Sequence, residues 1–178
     1  MMLLCNGRPT DDEGRTPREM EAYDLLDKLG IAYTRVDHPA AATMEDCLAV
    51  EAVLGTAICK NLFLTNRQHT AYYLLLMPGD KPFKTKDLSA QIGSARLSFA
   101  SPEEMERLLG TSPGSASVLG LMHDRDREVQ LLIDRDILKA DAIGAHPLVN
   151  TASLGLRVAD ILNVFLPAVG HTYEKVTL

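Results

Sequence analysis

Two strand-like runs separated by only four residues constrain this chain more than any other feature. Residues 57–65 (Ala57-Ile58-Cys59-Lys60-Asn61-Leu62-Phe63-Leu64-Thr65) and residues 70–77 (Thr70 through Met77) are dominated by aliphatic and aromatic side chains. The step between them, Asn66-Arg67-Gln68-His69, predicts a hairpin. The first run reads as a central, buried strand, and that makes Lys60 conspicuous. By alternation it shares a face with Ile58, Leu62 and Leu64. A lysine there must find a partner, reach water, or face a polar cavity, because an unpaired buried charge is costly. Its neighbour Asn61 points to the opposite face unless a bulge intervenes.

Helix and strand signals alternate around this pair. Thr16-Pro17-Arg18-Glu19 joins a capping box to a proline at the first helical position, and Met20, Tyr23, Leu26 and Leu29 then form one stripe that stops at Gly30. A strand over 31–36, a helix over 43–54, a helix over 85–92, a strand over 95–100 and a helix opened by Ser101-Pro102-Glu103-Glu104 follow in order. Residues 118–122 predict a strand that turns at 123–126 into a second hairpin with 128–133. Residues 137–143 suit either helix or strand, 151–156 a strand, 158–166 a helix and 171–178 a last strand. This order predicts an α/β fold of the mixed α+β kind, one mixed sheet with helices packed on it. Residues 1–15, rich in charge, glycine and proline, read as a flexible arm before a single domain over 16–178.

Composition removes several functional classes. No apolar run approaches the length of a membrane span, and the stretch before Gly7 is too short for a signal peptide. Cys5, Cys47 and Cys59 show no paired spacing, which predicts free thiols in a reducing cytoplasm. The net charge of −6 argues against a general nucleic-acid binder but leaves room for a local basic patch, Arg67, Lys81, Lys84, Lys86 and Arg96. Neither HExxH nor CxxC occurs, so no metal site is expected; no GxGxxG or P-loop pattern occurs, so no nucleotide cofactor is expected.

Three places carry candidate chemistry. The loop Ser112-Pro113-Gly114-Ser115-Ala116-Ser117-Val118-Leu119-Gly120 is made mostly of small residues, which let main chain approach a ligand and present N–H groups to an oxyanion. Serine in Gly114-Ser115-Ala116-Ser117-Val118 lacks the spacing and closing glycine of a nucleophile elbow, so a serine hydrolase is disfavoured. His146 precedes Pro147, which holds it extended and fixes where its ring points. His38-Pro39 has no partner motif and reads as structural.

Taken in order, Lys60-Asn61-Leu62-Phe63-Leu64, the Pro113 to Leu121 loop and His146-Pro147 with Asn150-Thr151-Ala152 resemble the YbaK/prolyl-tRNA-synthetase-associated editing domains. No single motif is specific; the ordered set is. The resemblance implies a curved mixed sheet surrounded by helices, and an acyl-tRNA pocket. It implies catalytic roles for Lys60, Gly114, Ser115, Ala116, Ser117 and His146, and substrate contacts from Asn61, Val118, Lys81, Lys84 and Lys86. Val118 stands where the family's loop commonly has proline. The partner implied is mischarged tRNA, with prolyl-tRNA synthetase as a second. Closest are the free-standing deacylases that remove alanine from proline tRNA by water attack; removal of cysteine, and a non-catalytic tRNA- or synthetase-binding module, are the alternatives.

Overall fold

The computed structural model describes residues 1–41 and 43–178, the side chain of Met44 excepted. The predicted hairpin forms from β3, Cys59–Asn66, and β4, Tyr72–Pro78, paired one to one from Cys59↔Pro78 to Thr65↔Tyr72 without a bulge. In β4, Leu74, Leu75, Leu76 and Met77 are all buried, alternate residues entering two different apolar clusters. A strand apolar on both sides has to be covered on both, and this one lies at the centre of its sheet.

The expected mixed sheet is present and is accompanied by a second one. Among the described residues there are two sheets. The larger has the order β5 (Leu97–Phe99), β3, β4, β6 (Val129–Asp134), β9 (Tyr173–Val176), and β4, β6 and β9 run parallel. The smaller is antiparallel throughout, β1 (Leu4–Asn6), β2 (Thr34–Asp37), β8 (Ala152–Arg157), β7 (Ala142–Ala145). β1 comes from the segment expected to be a flexible arm. Arg15 anchors the rest of that segment, at 2.7 Å from Asp37 and 2.8 Å from Glu19.

The second hairpin is corrected. Residues Val118–His123 form a 3-10 helix, and β6 reaches its place beside β4 by a crossover. A short apolar run does not distinguish helix from strand. Here Ser117 decides, because its side chain accepts the Leu119 N–H at 3.2 Å and starts the turn. The ambiguous 137–143 stretch divides into α5, Arg135–Lys139, and the start of β7.

The other helices are α1 (Pro17–Lys28), α2 (Met44–Leu54), α3 (Thr85–Ile92), α4 (Pro102–Leu109), and α6 (Val158–Asp160), which continues through a π turn into α7 (Leu166–Ala168). Capping boxes open α2 at Thr43 with Asp46 and α4 at Ser101 with Glu104.

The two sheets meet at one parallel bridge, Ile58↔Gly144, where the Gly144 N–H also donates to the Ala57 carbonyl at 2.8 Å. A Cβ on Gly144 would lie 2.8 Å from Ile58 Cγ1 and 3.1 Å from its Cα, so only glycine allows the approach. Gly144→Val should therefore lose about 1–3 kcal/mol by overpacking. For a chain of this size that lowers the melting temperature by about 2–4 °C per kcal/mol. Thermal melting checks it; an unchanged midpoint would mean that the joint tolerates separation.

Candidate functional site

Beside the joint opens a cavity of about 870 Å³. Seven consecutive residues, Ala57 to Phe63, border it. A strand presenting one face would contribute alternate residues; this strand contributes its edge. β5 covers β3 only from Leu64 to Asn66, and beyond that the Ala100 N–H donates to the Phe63 carbonyl at 3.0 Å on the side away from β4. Main-chain groups two residues apart on a strand point the same way. The N–H and C=O of Asn61 therefore face the gap between that contact and the Ile58↔Gly144 bridge. Lys60 and Asn61 thus both border one cavity without the bulge that a face-on arrangement requires.

Lys60 is half-buried and has no carboxylate partner among the described residues; its Nζ donates to the Lys81 carbonyl at 2.5 Å. That carbonyl is itself held. The Lys81 ammonium bonds Asp134 at 3.0 Å, Asp136 at 2.6 Å and the Leu178 carbonyl at 3.0 Å. Asp136 and then Asp134 hold the Lys81 pKa above its ordinary value against the opposing effect of burial. This corrects the expectation for Lys81. Its charge is engaged by two carboxylates, and its bearing on the cavity is through the carbonyl that fixes Lys60. Lys84 and Lys86 are exposed and carry no ion pair among the described residues, but neither borders the cavity.

Asn61 donates from Nδ2 to the Cys59 carbonyl at 3.2 Å, while its Oδ1 is buried with no partner among the described residues. An unsatisfied buried acceptor is costly, and is kept most cheaply where something else supplies the donor. Burial in the same wall pushes the Cys59 thiol up to about 12, so it has no nucleophilic character at neutral pH.

The small-residue loop borders the cavity by three of its residues. Pro113, Gly114 and Ala116 border it; Ser115, Ser117 and Val118 are buried behind it. Ser112-Pro113-Gly114-Ser115 closes as a turn, with the Ser115 N–H donating to the Ser112 carbonyl at 3.0 Å and Gly114 at a φ of 89°. Proline followed by a left-handed glycine is the signature of a type II turn. A Cβ on Gly114 would meet only Asn150 Nδ2 at 3.7 Å, so its backbone angle requires glycine and space does not.

The hydroxyls of the two serines are engaged within the loop. Ser115 Oγ donates to the Ser112 carbonyl at 2.9 Å, and Ser117 Oγ caps the 3-10 helix. The N–H groups of Gly114 and Ala116 have no partner among the described residues.

His146 borders the same cavity from the loop after β7. Its Nδ1 lies 2.8 Å from the Ala152 carbonyl, so Nδ1 carries the hydrogen and Nε2 is left as an acceptor. Burial, and then the nearby His38, lower its pKa below the ordinary histidine value, against the opposing pull of the Ala152 carbonyl. Ser153 lies between the two rings, 2.9 Å from His38 Nε2 and 3.4 Å from His146 Nδ1, and His38 Nδ1 faces the Pro39 carbonyl at 2.7 Å. Both ring nitrogens of His38 are thus engaged, and its ring lies 6.2 Å from that of His146, centroid to centroid. Ser153 carries no signal in the sequence, where it is one polar position in an apolar strand. Among the described residues no cluster of three metal-ligating side chains occurs, and no helix is long and apolar enough to cross a membrane.

A cation, free main-chain donors and a neutral imidazole on one cavity form a set suited to ester hydrolysis without a side-chain nucleophile. Residues 38–164, which hold every one of these groups, match the aminoacyl-tRNA editing domain. The chain belongs to the aminoacyl-tRNA editing domain family. As a member it is an aminoacyl-tRNA deacylase. This editing domain is 30% identical over 153 residues to the prolyl-tRNA editing protein ProX of Acetoanaerobium sticklandii, covering 86% of this chain and 93% of that one. It is 33% identical over 155 residues to prolyl-tRNA synthetase associated domain-containing protein 1 of Mus musculus, covering 85% and 90%. A crystal structure presented as a candidate trans-editing enzyme for prolyl tRNA synthetase shares the fold of the editing domain at a TM-score of 0.67, with 18% identity over 92% of this chain and 98% of that one.

Proposed function

We propose that this editing domain removes a wrongly attached amino acid, alanine first, from proline tRNA, acting in trans in the cytoplasm beside prolyl-tRNA synthetase. The observation that carries the reading is the loop: Gly114 and Ala116, whose N–H groups have no partner among the described residues, border the cavity that Lys60 and His146 also line. Water attacks the ester carbonyl, the developing oxyanion is stabilised by those N–H groups, and collapse breaks the acyl C–O bond to release the amino acid and the terminal tRNA hydroxyl, which takes up the proton that the water gives up. Neutral His146 accepts a hydrogen bond from the water through Nε2 and orients it. Lys60, fixed by the Lys81 carbonyl, meets the anionic charge of the substrate. The buried Oδ1 of Asn61 accepts from a donor on the aminoacyl group. ProX is named for prolyl-tRNA editing, and that name, with the sequence resemblance, supports proline tRNA as the substrate.

Hydrolysis of a panel of mischarged tRNAs tests the proposal. Release of alanine from proline tRNA, faster than of proline from its own tRNA, is the expected result. Cysteine released in preference to alanine would change the amino acid, and binding without turnover would replace the enzyme by a recognition module.

The state of His146 gives a pH prediction. Its folded pKa lies below the value of 6.5 that it has in an unfolded chain. The unfolded chain therefore binds the proton more tightly, and the stability contributed by neutral His146 is full above that value and lost as pH falls below it. The acid limb of the pH–rate profile should accordingly have its midpoint below 6.5 and disappear in His146→Gln. A limb unmoved in that variant would assign it to another group.

A further inference from the structure

One apolar side chain on the rim of the cavity is unexplained by packing. Phe99, in β5, shares a strand face with Leu97, but Leu97 is 2% exposed and Phe99 is 61% exposed. Leaving a phenyl ring in water forgoes about 1.5–3 kcal/mol of burial. Its edge neighbour is Phe83, with ring centroids 6.5 Å apart and planes at 66°, so Phe83 buttresses Phe99 and leaves it exposed. Phe99 borders the cavity together with Ala100 and Pro102.

Three cations lie near this pair along the chain. Lys84 follows Phe83 in sequence, Lys86 lies in α3, and Arg96 immediately precedes β5. All three are exposed and none has an ion-pair partner among the described residues. An exposed ring flanked by unpaired cations is the combination that binds single-stranded nucleic acid, the ring by stacking on a base and the cations by meeting phosphates.

We infer that Phe99 is the stacking platform for an unpaired base at the 3′ end of the tRNA, holding the acceptor strand as its terminal ester enters the cavity. This rests on the reading of the substrate as tRNA. The basic segment then has a definite role, in which Lys84, Lys86 and Arg96 follow the backbone of the strand that Phe99 grips.

The chain contains no tryptophan, so Phe99→Trp places a single indole at the platform. Titration of this variant with the trinucleotide CCA, and with uncharged tRNA, should quench its emission to saturation. Uncharged tRNA trimmed of its last three nucleotides should not. In deacylation assays Phe99→Ala should lose about 5- to 100-fold in kcat/KM, chiefly through KM, since base–aromatic stacking contributes about 1–3 kcal/mol per base. Phe99→Leu should resemble Phe99→Ala, and Phe99→Trp should resemble the parent. Quenching that ignores the trimming, no quenching at all, or a Phe99→Leu variant as good as the parent would overturn the inference. Those results, with the parent still hydrolysing mischarged tRNA, would leave the proposed activity standing; a parent inactive on every mischarged tRNA would instead remove the activity, whatever the fluorescence showed.

Discussion

Gly114→Val is expected to reduce deacylation about 100- to 1000-fold, the loss typical of one misplaced oxyanion donor. The cause is angular. At a φ of 89° a β-branched residue is strained whatever space surrounds it, and the only neighbour its Cβ would meet is Asn150 Nδ2, at an ordinary distance. The turn must open to relieve that strain, and the Gly114 and Ala116 N–H groups move with it. Ser115→Ala and Ser117→Ala provide the contrast. Each removes a hydroxyl engaged within the loop, so each should cost about 1 kcal/mol of stability and leave hydrolysis substantially intact. Single-turnover hydrolysis on variants shown to be folded by circular dichroism decides between main chain and side chain. If a serine variant is dead while Gly114→Val works, and an acyl-serine can be trapped on the parent, the water mechanism gives way to a covalent one.

The second large effect is expected at Lys60. Lys60→Met removes a charge-assisted contact of about 1.5–3 kcal/mol, equivalent to about 10- to 100-fold in kcat/KM. Stability should stay level or rise, because a half-buried ammonium with no carboxylate partner is replaced by an apolar chain of similar length. Lys60→Arg should not rescue, since a planar guanidinium does not fit the point contact with the Lys81 carbonyl at 2.5 Å. Activity and melting temperature measured on the same preparations test this. A Lys60→Met variant that melts lower in proportion to its lost activity would make the lysine a packing residue.

What is legible in the sequence is mostly local. Thr43 with Asp46 and Ser101 with Glu104 satisfy the first N–H groups of their helices from residues three apart, so the signal lies within one turn. The β3–β4 hairpin is likewise written in adjacent residues. The pairing of β4 with β6 is not, because a parallel partner arrives by a long crossover that no short window contains. Lys81 misleads for the same reason: Asp134 lies 53 residues away along the chain, and only the fold brings the two charges together. Within the site, Lys60, the loop and His146 stand out by their order and spacing. The inaccessibility of Ser115 and Ser117 depends on which residues of the loop the fold turns toward the cavity. Phe99 gives no signal because a phenylalanine in a strand ordinarily belongs to the core, and nothing nearby in sequence says that the core ends before it.

The cavity is walled by the uncovered edge of β3 and by a turn whose free donors are main-chain N–H groups. Every amino acid but proline carries the same N–H and C=O, so a wall of this kind is largely indifferent to which side chains stand along it. Such a pocket can wander far in sequence while keeping its working groups in place, provided the few residues that shape the backbone, Gly114 and Gly144 first among them, are held. Mutational tolerance should therefore be wide at Ala57 and Leu62, whose side chains are not buried, and narrow at the buried Cys59 and Phe63 and at the glycines, where a single added methyl group does more damage than the loss of a whole polar side chain nearby.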